Sequence, residues 1–123
     1  MRLNPDCIRD ILLCVEEKID SNNESLSIGD LKKMLPDYDA NTLCYHVMQI
    51  DRANLVIGVV YILNGPVSIR DLSPKGHEFL ANIRSNSNWN RVKGISEKVG
   101  SASLDAIIQI SSNVITNLIT QQF

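Results

Sequence analysis

This sequence lacks several features that would place it in a familiar class of protein. Its apolar residues recur periodically and form no run of the length that a membrane-spanning helix needs. Its first residues lack the apolar segment of a signal peptide. We therefore expect a cytoplasmic protein with no membrane partner. At 123 residues, 44% of them hydrophobic, the chain is long enough for one domain with a single core.

Cysteine is scarce, and its spacing matches neither a disulfide framework nor a metal site. Cys7 and Cys14 lie two turns apart on one predicted helix, roughly 10 Å along its axis, which is too far for a disulfide. Cys44 and His46 with the distant His77 do not form a metal-binding pattern. The sequence predicts free, buried thiols and no metal.

Catalytic motifs are also missing. The chain contains no glycine-rich phosphate loop, no nucleophile elbow and no carboxylate pair that its spacing singles out. His77 is accompanied by neither a nucleophile nor a second ligand. We expect a protein that is not an enzyme and that uses no cofactor and no small-molecule ligand.

Acidic residues outnumber basic ones in the N-terminal half. Residues 1–54 carry ten acidic and six basic side chains, whereas residues 55–123 carry four acidic and six basic. Affinity for nucleic acid rests largely on phosphate neutralisation by lysine and arginine. The charge distribution therefore argues against strong non-specific DNA binding.

Three helices are predicted in this half from capping residues followed by apolar residues at helical spacing. Asn4 can cap the first helix, with Pro5 at its first position. Ser27 and Asp30 form a capping box at the start of the second, and Asp39 caps the third. The predicted helices are residues 5–20, a short helix from Ser27 to Pro36, and residues 40–53 with Leu43, Val47 and Ile50 facing the core.

A β-hairpin is predicted next. The run from Leu55 to Leu63 is rich in valine, isoleucine and leucine, which indicates a buried strand. Asn64-Gly65 is a strong turn signal, and the sequence from Val67 to Leu72 returns as the second strand. Pro66 is tolerated as the first residue of that strand. The tip of this hairpin contains no lysine or arginine, so it is poorly suited to gripping phosphates.

The remaining sequence predicts three more helices. Ser73-Pro74 starts the fourth, whose apolar face is Phe79, Leu80 and Ile83, and a polar break at residues 84–88 follows it. The fifth runs from Trp89 to Gly100, with Val92, Ile95 and Val99 on its apolar face. Ser103 caps the last, whose wide apolar stripe either packs on its own domain or pairs with a second copy; we favour a homodimer. The candidate dimer residues are Leu104, Ile108, Ile115, Leu118 and Ile119.

The third helix has a polar face opposite its core face. Glutamine can read adenine, and arginine can read guanine or hold phosphate, so this face is a candidate reader of a DNA groove. Every amphipathic helix has a polar face, so an ordinary solvated surface is the alternative. The candidate DNA-binding residues are Asn41, Thr42, Tyr45, Gln49 and Arg52, together with Asn64 at the hairpin tip.

The order of these segments resembles the winged-helix pattern, in which a short helix, a reader helix, a hairpin and an L-[ST]-x-x-G entry to the next helix follow one another. Leu72-Ser73-Pro74-Lys75-Gly76 matches that entry. Three stretches resemble a small family of unknown function, met mainly in Firmicutes and their prophages, and the similarity covers nearly the whole chain. These stretches are residues 3–12, Gly76–Arg84 and Ala102–Leu104.

The resemblance implies an α+β, mostly α fold: a winged helix-turn-helix with a two-stranded wing and additional C-terminal helices. Residues 1–84 would form the winged helix and residues 85–123 a helical extension, within a single domain overall. The first functional hypothesis is a DNA-binding transcription regulator, dimeric and phage or prophage encoded. The second is a non-enzymatic interaction module, such as a phage-encoded modulator of a host protein, whose acidic half docks on a basic partner.

Overall fold

A computed structural model describes residues 1–123 and shows an α+β, mostly helical chain, as predicted. None of its helices has the length and apolarity needed to cross a membrane. The helices are α1 (Pro5–Lys18), α2 (Ile28–Met34), α3 (Ala40–Arg52), α4 (Pro74–Ile83), α5 (Asn86–Val99) and α6 (Leu104–Gln121). The strands are β1 (Leu26–Ser27), β2 (Val56–Ile57), β3 (Val60–Ile62), β4 (Gly65–Ile69) and β5 (Asp71–Leu72).

The helix starts are set by local side-chain caps. The Asn4 side chain accepts hydrogen bonds from the first backbone N–H groups of α1, and Ser27 and Asp30 form the capping box of α2. The Asp39 carboxylate accepts the N–H of Thr42 at 2.8 Å at the start of α3. These predicted starts are confirmed.

Two small antiparallel sheets lie beside the helices. The first has the strand order β1-β4-β3, in which Leu26 pairs with Ile69, and the second pairs β2 with β5. β1 was not predicted, because it is only two residues long and its partner lies more than forty residues later in the chain. Through β1, the segment between α1 and α2 joins the hairpin.

The prediction of one buried strand from Leu55 to Leu63 is wrong. Two short strands occupy this stretch, separated at Gly58 and Val59, and only Leu55 and Val56 are buried. Gly58 has φ +65°, and a Cβ atom there would lie 2.5 Å from the Cβ of Arg70. The backbone therefore breaks at the glycine, and β3 continues beyond the part of the chain that the helices cover.

The hairpin turn is also one residue earlier than predicted. Ile62 pairs with Gly65, so the two loop residues are Leu63 and Asn64. The positive φ of +132° falls on Gly65, after the loop, and not on Asn64. Pro66 is thus the second residue of β4 rather than the first; it lies opposite Tyr61 and is buried.

The core is a single cluster built from most of the elements. The predicted core residues of α3 and α4 all belong to it, and α1 contributes its whole apolar stripe. Cys7 and Cys14 are buried in this cluster as free thiols, as predicted. The α3 and α4 members are Leu43, Val47, Ile50, Phe79, Leu80 and Ile83.

The C-terminal helices pack on the rest of the chain. The break between α4 and α5 is two residues long rather than five, because Ser85 already caps α5 by accepting the N–H of Asn88. Gly100 ends α5 with φ +72°, as predicted, whereas Val99 is exposed. α6 lies along α4 and α5 and buries Ile107 and Val114.

Polar contacts join α1 to the start of α5. The Arg9 guanidinium donates to the carbonyl oxygens of Ile83 and Arg84, and to the Asn86 side chain. The Asp6 carboxylate accepts the indole N–H of Trp89 at 2.8 Å. These contacts cross the predicted boundary at residue 84.

Candidate functional site

The outer face of α3 carries the residues predicted to read DNA. Asn41 and Arg52 are exposed, and Thr42, Tyr45 and Gln49 are half-buried. The opposite side of the helix is fully buried, so the orientation of α3 follows directly from its sequence periodicity. The structure thus brings five of the predicted residues onto one surface.

His46 fixes the N-terminal half of α3 from behind. It is 1% exposed, and its Nε2 accepts the backbone N–H of Asn4 at 2.8 Å. Nδ1 lies 2.7 Å from the carbonyl oxygen of Thr42 and donates to it, so the ring is neutral with its proton on Nδ1. The Tyr45 ring meets the His46 ring edge-on at 4.9 Å. Sequence reasoning treated His46 as a weak metal candidate and missed this role.

The environment of His46 predicts a pH-dependent stability. Burial lowers the pKa of His46 from its ordinary value of 6.5, and the hydrogen bond to Thr42 opposes that shift only in part. The unfolded chain therefore binds a proton more readily than the folded one. The stabilisation is fully present above about pH 6.5 and is lost as pH falls through the lower pKa of the folded protein. Urea unfolding at pH 7.5 and pH 5.5 should show this loss.

His46→Gln is the matched control for that prediction. A glutamine oxygen can accept the N–H of Asn4 but does not titrate, so the stability of this variant should change little over the same pH interval. Acidic groups with lowered pKa values, such as Asp6, respond at more acidic pH. If wild type and His46→Gln lose the same stability between pH 7.5 and pH 5.5, the assignment to His46 is wrong.

The hairpin lies along one flank of α3. The Tyr61 hydroxyl of β3 donates to the Asp51 carboxylate of α3, and Cys44 contacts Pro66 near the other end of the helix. Asn64, the predicted DNA residue of the hairpin, is exposed at its tip. The hairpin is thus held beside the outer face of α3, although neither contact was evident from sequence spacing.

The C-terminal end of α3 is clamped by the L-[ST]-x-x-G segment. The Ser73 hydroxyl donates to the carbonyl oxygen of Asn54 at 2.6 Å, and the Ser73 N–H donates to that of Leu55 at 3.0 Å. Lys75 Nζ donates to the carbonyl oxygen of Ala53 at 3.1 Å. Asn54 adopts φ +62° at this junction. The segment therefore positions both the end of α3 and the start of the hairpin.

The charge on this surface is low. No charged residue occurs between Arg52 and Arg70, and the start of α3 carries the carboxylate of Asp39. Lys32 is engaged in donating to backbone carbonyl oxygens of the turn before α3. Arg2 is exposed in the N-terminal segment, whose Asn4 contacts His46 on the buried side of α3. Arg52 is the cation that the outer face of α3 itself provides.

The hairpin is apolar as well as uncharged. Val60 and Ile62 are 52% and 64% exposed, and Leu63 is 99% exposed at the turn. Side chains of this kind cannot neutralise phosphates. The hairpin tip therefore offers no phosphate-neutralising side chain.

The predicted dimer surface on α6 is partly used within the chain. Leu104, Ile108 and Leu118 pack against the core, and Ile115 is half-buried. Ile119 remains 54% exposed. The role of these five residues in a dimer stays a prediction.

The thiols and imidazoles do not converge. Burial raises the pKa of Cys7 to about 12 and that of Cys14 to about 11. His77 is exposed on α4, and no group of three histidine, cysteine or acidic residues is close enough to hold a metal ion. The structure therefore offers the α3 surface and the apolar hairpin as its candidate sites.

Comparison with known proteins identifies relatives of this chain. Residues 2–103 match the family described as hypothetical protein (DUF2513). The chain is also similar to an "Uncharacterized protein" of Haemophilus influenzae, with 33% identity over 122 residues that cover 97% of this chain and 99% of that protein. No solved structure matches.

Proposed function

The chain belongs to the DUF2513 family, and we propose that it is a winged helix-turn-helix protein that binds duplex DNA through the outer face of α3. The order α1, β1, α2, α3 and hairpin supports this proposal, because a winged helix has the same order of elements. The pairing of β1 with β4 adds the third strand to the wing sheet. The hairpin is the wing, and α3 is the reader helix.

One observation carries the proposal: the outer face of α3 is at least partly accessible along its length, while the rest of the chain fixes the helix from three sides. His46 holds it from behind, Tyr61 from the hairpin and Ser73 near its C-terminal end. A reader helix must be rigid to hold side chains at base edges. Gln49 and Arg52 are suitable residue types for adenine and guanine.

The low charge of this surface sets the expected affinity. Each neutralised phosphate contributes a slope of about −0.9 to the dependence of log affinity on log salt. With Arg52 as the cation of the outer face of α3, we expect a shallow slope of about −1 per chain. The affinity for a specific site should therefore come mainly from contacts with base edges rather than from contacts with phosphates.

Substitution of two residues of α3 tests this proposal. Arg52→Ala should weaken binding to every duplex and reduce the salt slope by about 1, because it removes a phosphate contact. Gln49→Ala should instead reduce discrimination at one base pair by about 1 to 3 kcal/mol. Fluorescence anisotropy with the protein's own upstream region and with a random duplex, across a salt series, measures both effects.

Arg91→Ala is the matched control, since Arg91 is an exposed arginine of α5 with no ion pair. It should bind both duplexes like wild type. No binding by wild type at the lowest salt would refute the DNA proposal. If Arg52→Ala and Arg91→Ala weaken binding equally, the assignment of the DNA contact to α3 is wrong.

A second candidate function is a non-enzymatic protein-interaction module, including a phage-encoded modulator of a host protein. The observation that favours it is a cleft of about 360 Å³ in which acidic side chains outnumber the one basic side chain; its lining includes Asp20, Glu24, Asp71, Arg70 and the exposed Ile57. A basic protein partner would complement this surface. Asp20→Lys with Glu24→Lys should then abolish co-purification of one defined partner from host lysate at low salt while leaving DNA binding unchanged. Retention of that partner by the double variant would exclude this surface.

A further inference from the structure

The hairpin and the neighbouring strand β2 carry large apolar side chains that the rest of the chain leaves exposed. There are five of these side chains, and we refer to them as the wing strip. All are at least 45% exposed, although residues of this type are normally buried. The wing strip consists of Ile57, Val60, Tyr61, Ile62 and Leu63.

The area of the wing strip is close to what an interface between two copies requires. At roughly 150 to 200 Å² for a large side chain, the exposed fractions correspond to about 500 Å² per chain. Because Tyr61 points to the opposite face of β3 from Val60 and Ile62, a two-fold contact would bury at most about 1,000 Å² in total, the lower limit for a specific interface. Such an interface is expected to dissociate in the micromolar range rather than to be permanent.

The absence of charge favours a second copy as the occupant. In a two-fold interface the same patch meets itself, so a charged residue at its centre would approach its own copy. The chain has no charged residue from Ala53 to Ile69, a segment that contains the entire wing strip. Self-association therefore brings no like charges together within this segment.

β3 also presents a free strand edge. It is the outer strand of the β1-β4-β3 sheet, with β4 on one side only. Edge strands in soluble proteins are commonly protected by lysine, proline, a covering element, a β-bulge or short length. β3 contains no lysine or proline, although it is three residues long and its register with β4 shifts between Val60 and Tyr61. Unpaired backbone N–H and C=O groups on this edge can be satisfied by an antiparallel copy.

We propose that two copies of this chain associate through the wing strip, with β3 pairing antiparallel to β3 of the second copy across a two-fold axis. The two three-stranded sheets then form one continuous six-stranded sheet. Val60 and Ile62 alternate with Tyr61 along β3. On each face of the joined sheet, these side chains would lie beside those of the second copy. This interface differs from the α6 surface, where most apolar side chains already pack within the chain.

Sedimentation equilibrium of the full chain without DNA tests the proposal. Wild type should show a monomer–dimer equilibrium in the micromolar range. Ile62→Glu should weaken association at least tenfold, because it places two carboxylates near the two-fold axis. Ile119→Glu is the matched control on α6: the residue is similarly exposed, and its substitution should leave the equilibrium unchanged. Circular dichroism establishes that both variants are folded.

Three results would overturn the proposal. Wild type that remains monomeric to several hundred micromolar would show that the wing strip does not self-associate. If Ile119→Glu disrupts association and Ile62→Glu does not, the dimer interface lies on α6. In a separate anisotropy titration with DNA, a loss of affinity in Ile62→Glu, together with a wild type that sediments as a monomer, would assign the wing strip to the nucleic acid. Because the sedimentation measurement contains no DNA, its failure leaves the proposed function to be judged by the α3 variants.

Discussion

Gly76→Ala should destabilise the protein by about 3 kcal/mol or more, the upper range for overpacking a core. A Cβ atom at Gly76 would lie 1.9 Å from the carbonyl oxygen of Leu55 and 2.9 Å from its carbonyl carbon. Neither atom belongs to a flexible side chain, and Ser73 holds that carbonyl by a hydrogen bond. α4 would have to move away from the start of the hairpin. Guanidinium unfolding monitored by Trp89 fluorescence measures the loss.

Gly94→Ala provides the matched control. Gly94 lies within α5, and a Cβ atom there would meet nothing within 4 Å. Alanine should stabilise this helix by about 0.5 to 1 kcal/mol, because glycine has the greater backbone freedom when unfolded. The two substitutions are chemically identical and should have opposite signs. A Gly76→Ala protein as stable as wild type would mean that α4 does not pack this closely on Leu55.

Arg9→Met should destabilise the protein by about 2 to 3 kcal/mol, as expected for hydrogen bonds made by a charged group. The Arg9 Nε donates to the carbonyl oxygen of Ile83 at 3.0 Å, and one terminal nitrogen donates to that of Arg84 at 2.6 Å and to Asn86 at 3.0 Å. These carbonyl groups end α4 and have no partner further along that helix. Methionine keeps the apolar stem but leaves them unsatisfied. Urea unfolding at pH 7 measures the difference.

Two further substitutions separate this effect from general charge removal. Arg91→Met removes an exposed arginine that makes no hydrogen bond, and it should change stability by less than about 0.5 kcal/mol. Arg9→Lys keeps the charge but cannot form the planar fork, so it should recover only part of the loss. Equal stability of Arg9→Met and Arg91→Met would contradict a capping role for Arg9.

The helix starts could be predicted because the signals that set them are local. Ser73 and Ser103 each accept a backbone N–H three residues later, as Asn4, Ser27 and Asp39 also do within the first turns of their helices. The spacing of the apolar residues then identified the buried side of α3, and the opposite side is its outer face. Both inferences need only a few consecutive residues.

The exposure of the hairpin could not be predicted in the same way. The apolar composition of Leu55–Leu63 indicates a strand, but burial depends on whether another element reaches it. Helices cover Leu55 and Val56, whereas Ile62 and Leu63 extend beyond them. Sequence spacing likewise gave no sign that His46 would bond to Asn4, since that contact joins residues 42 apart in the chain. The parts of the site that depend on distant contacts were therefore those that sequence reasoning missed.

The polar contacts of α1 also affect how this chain folds during synthesis. Arg9 and Asp6 contact residues that lie 74 to 87 positions later, so these contacts close very long loops. At about 5 to 20 residues per second, α1 waits several seconds after its own synthesis before α5 leaves the ribosome. During that interval its apolar stripe has only part of its final partners. α1 thus completes its contacts only after α5 has been synthesised, and this non-local closure is expected to be slower than the formation of the helices themselves.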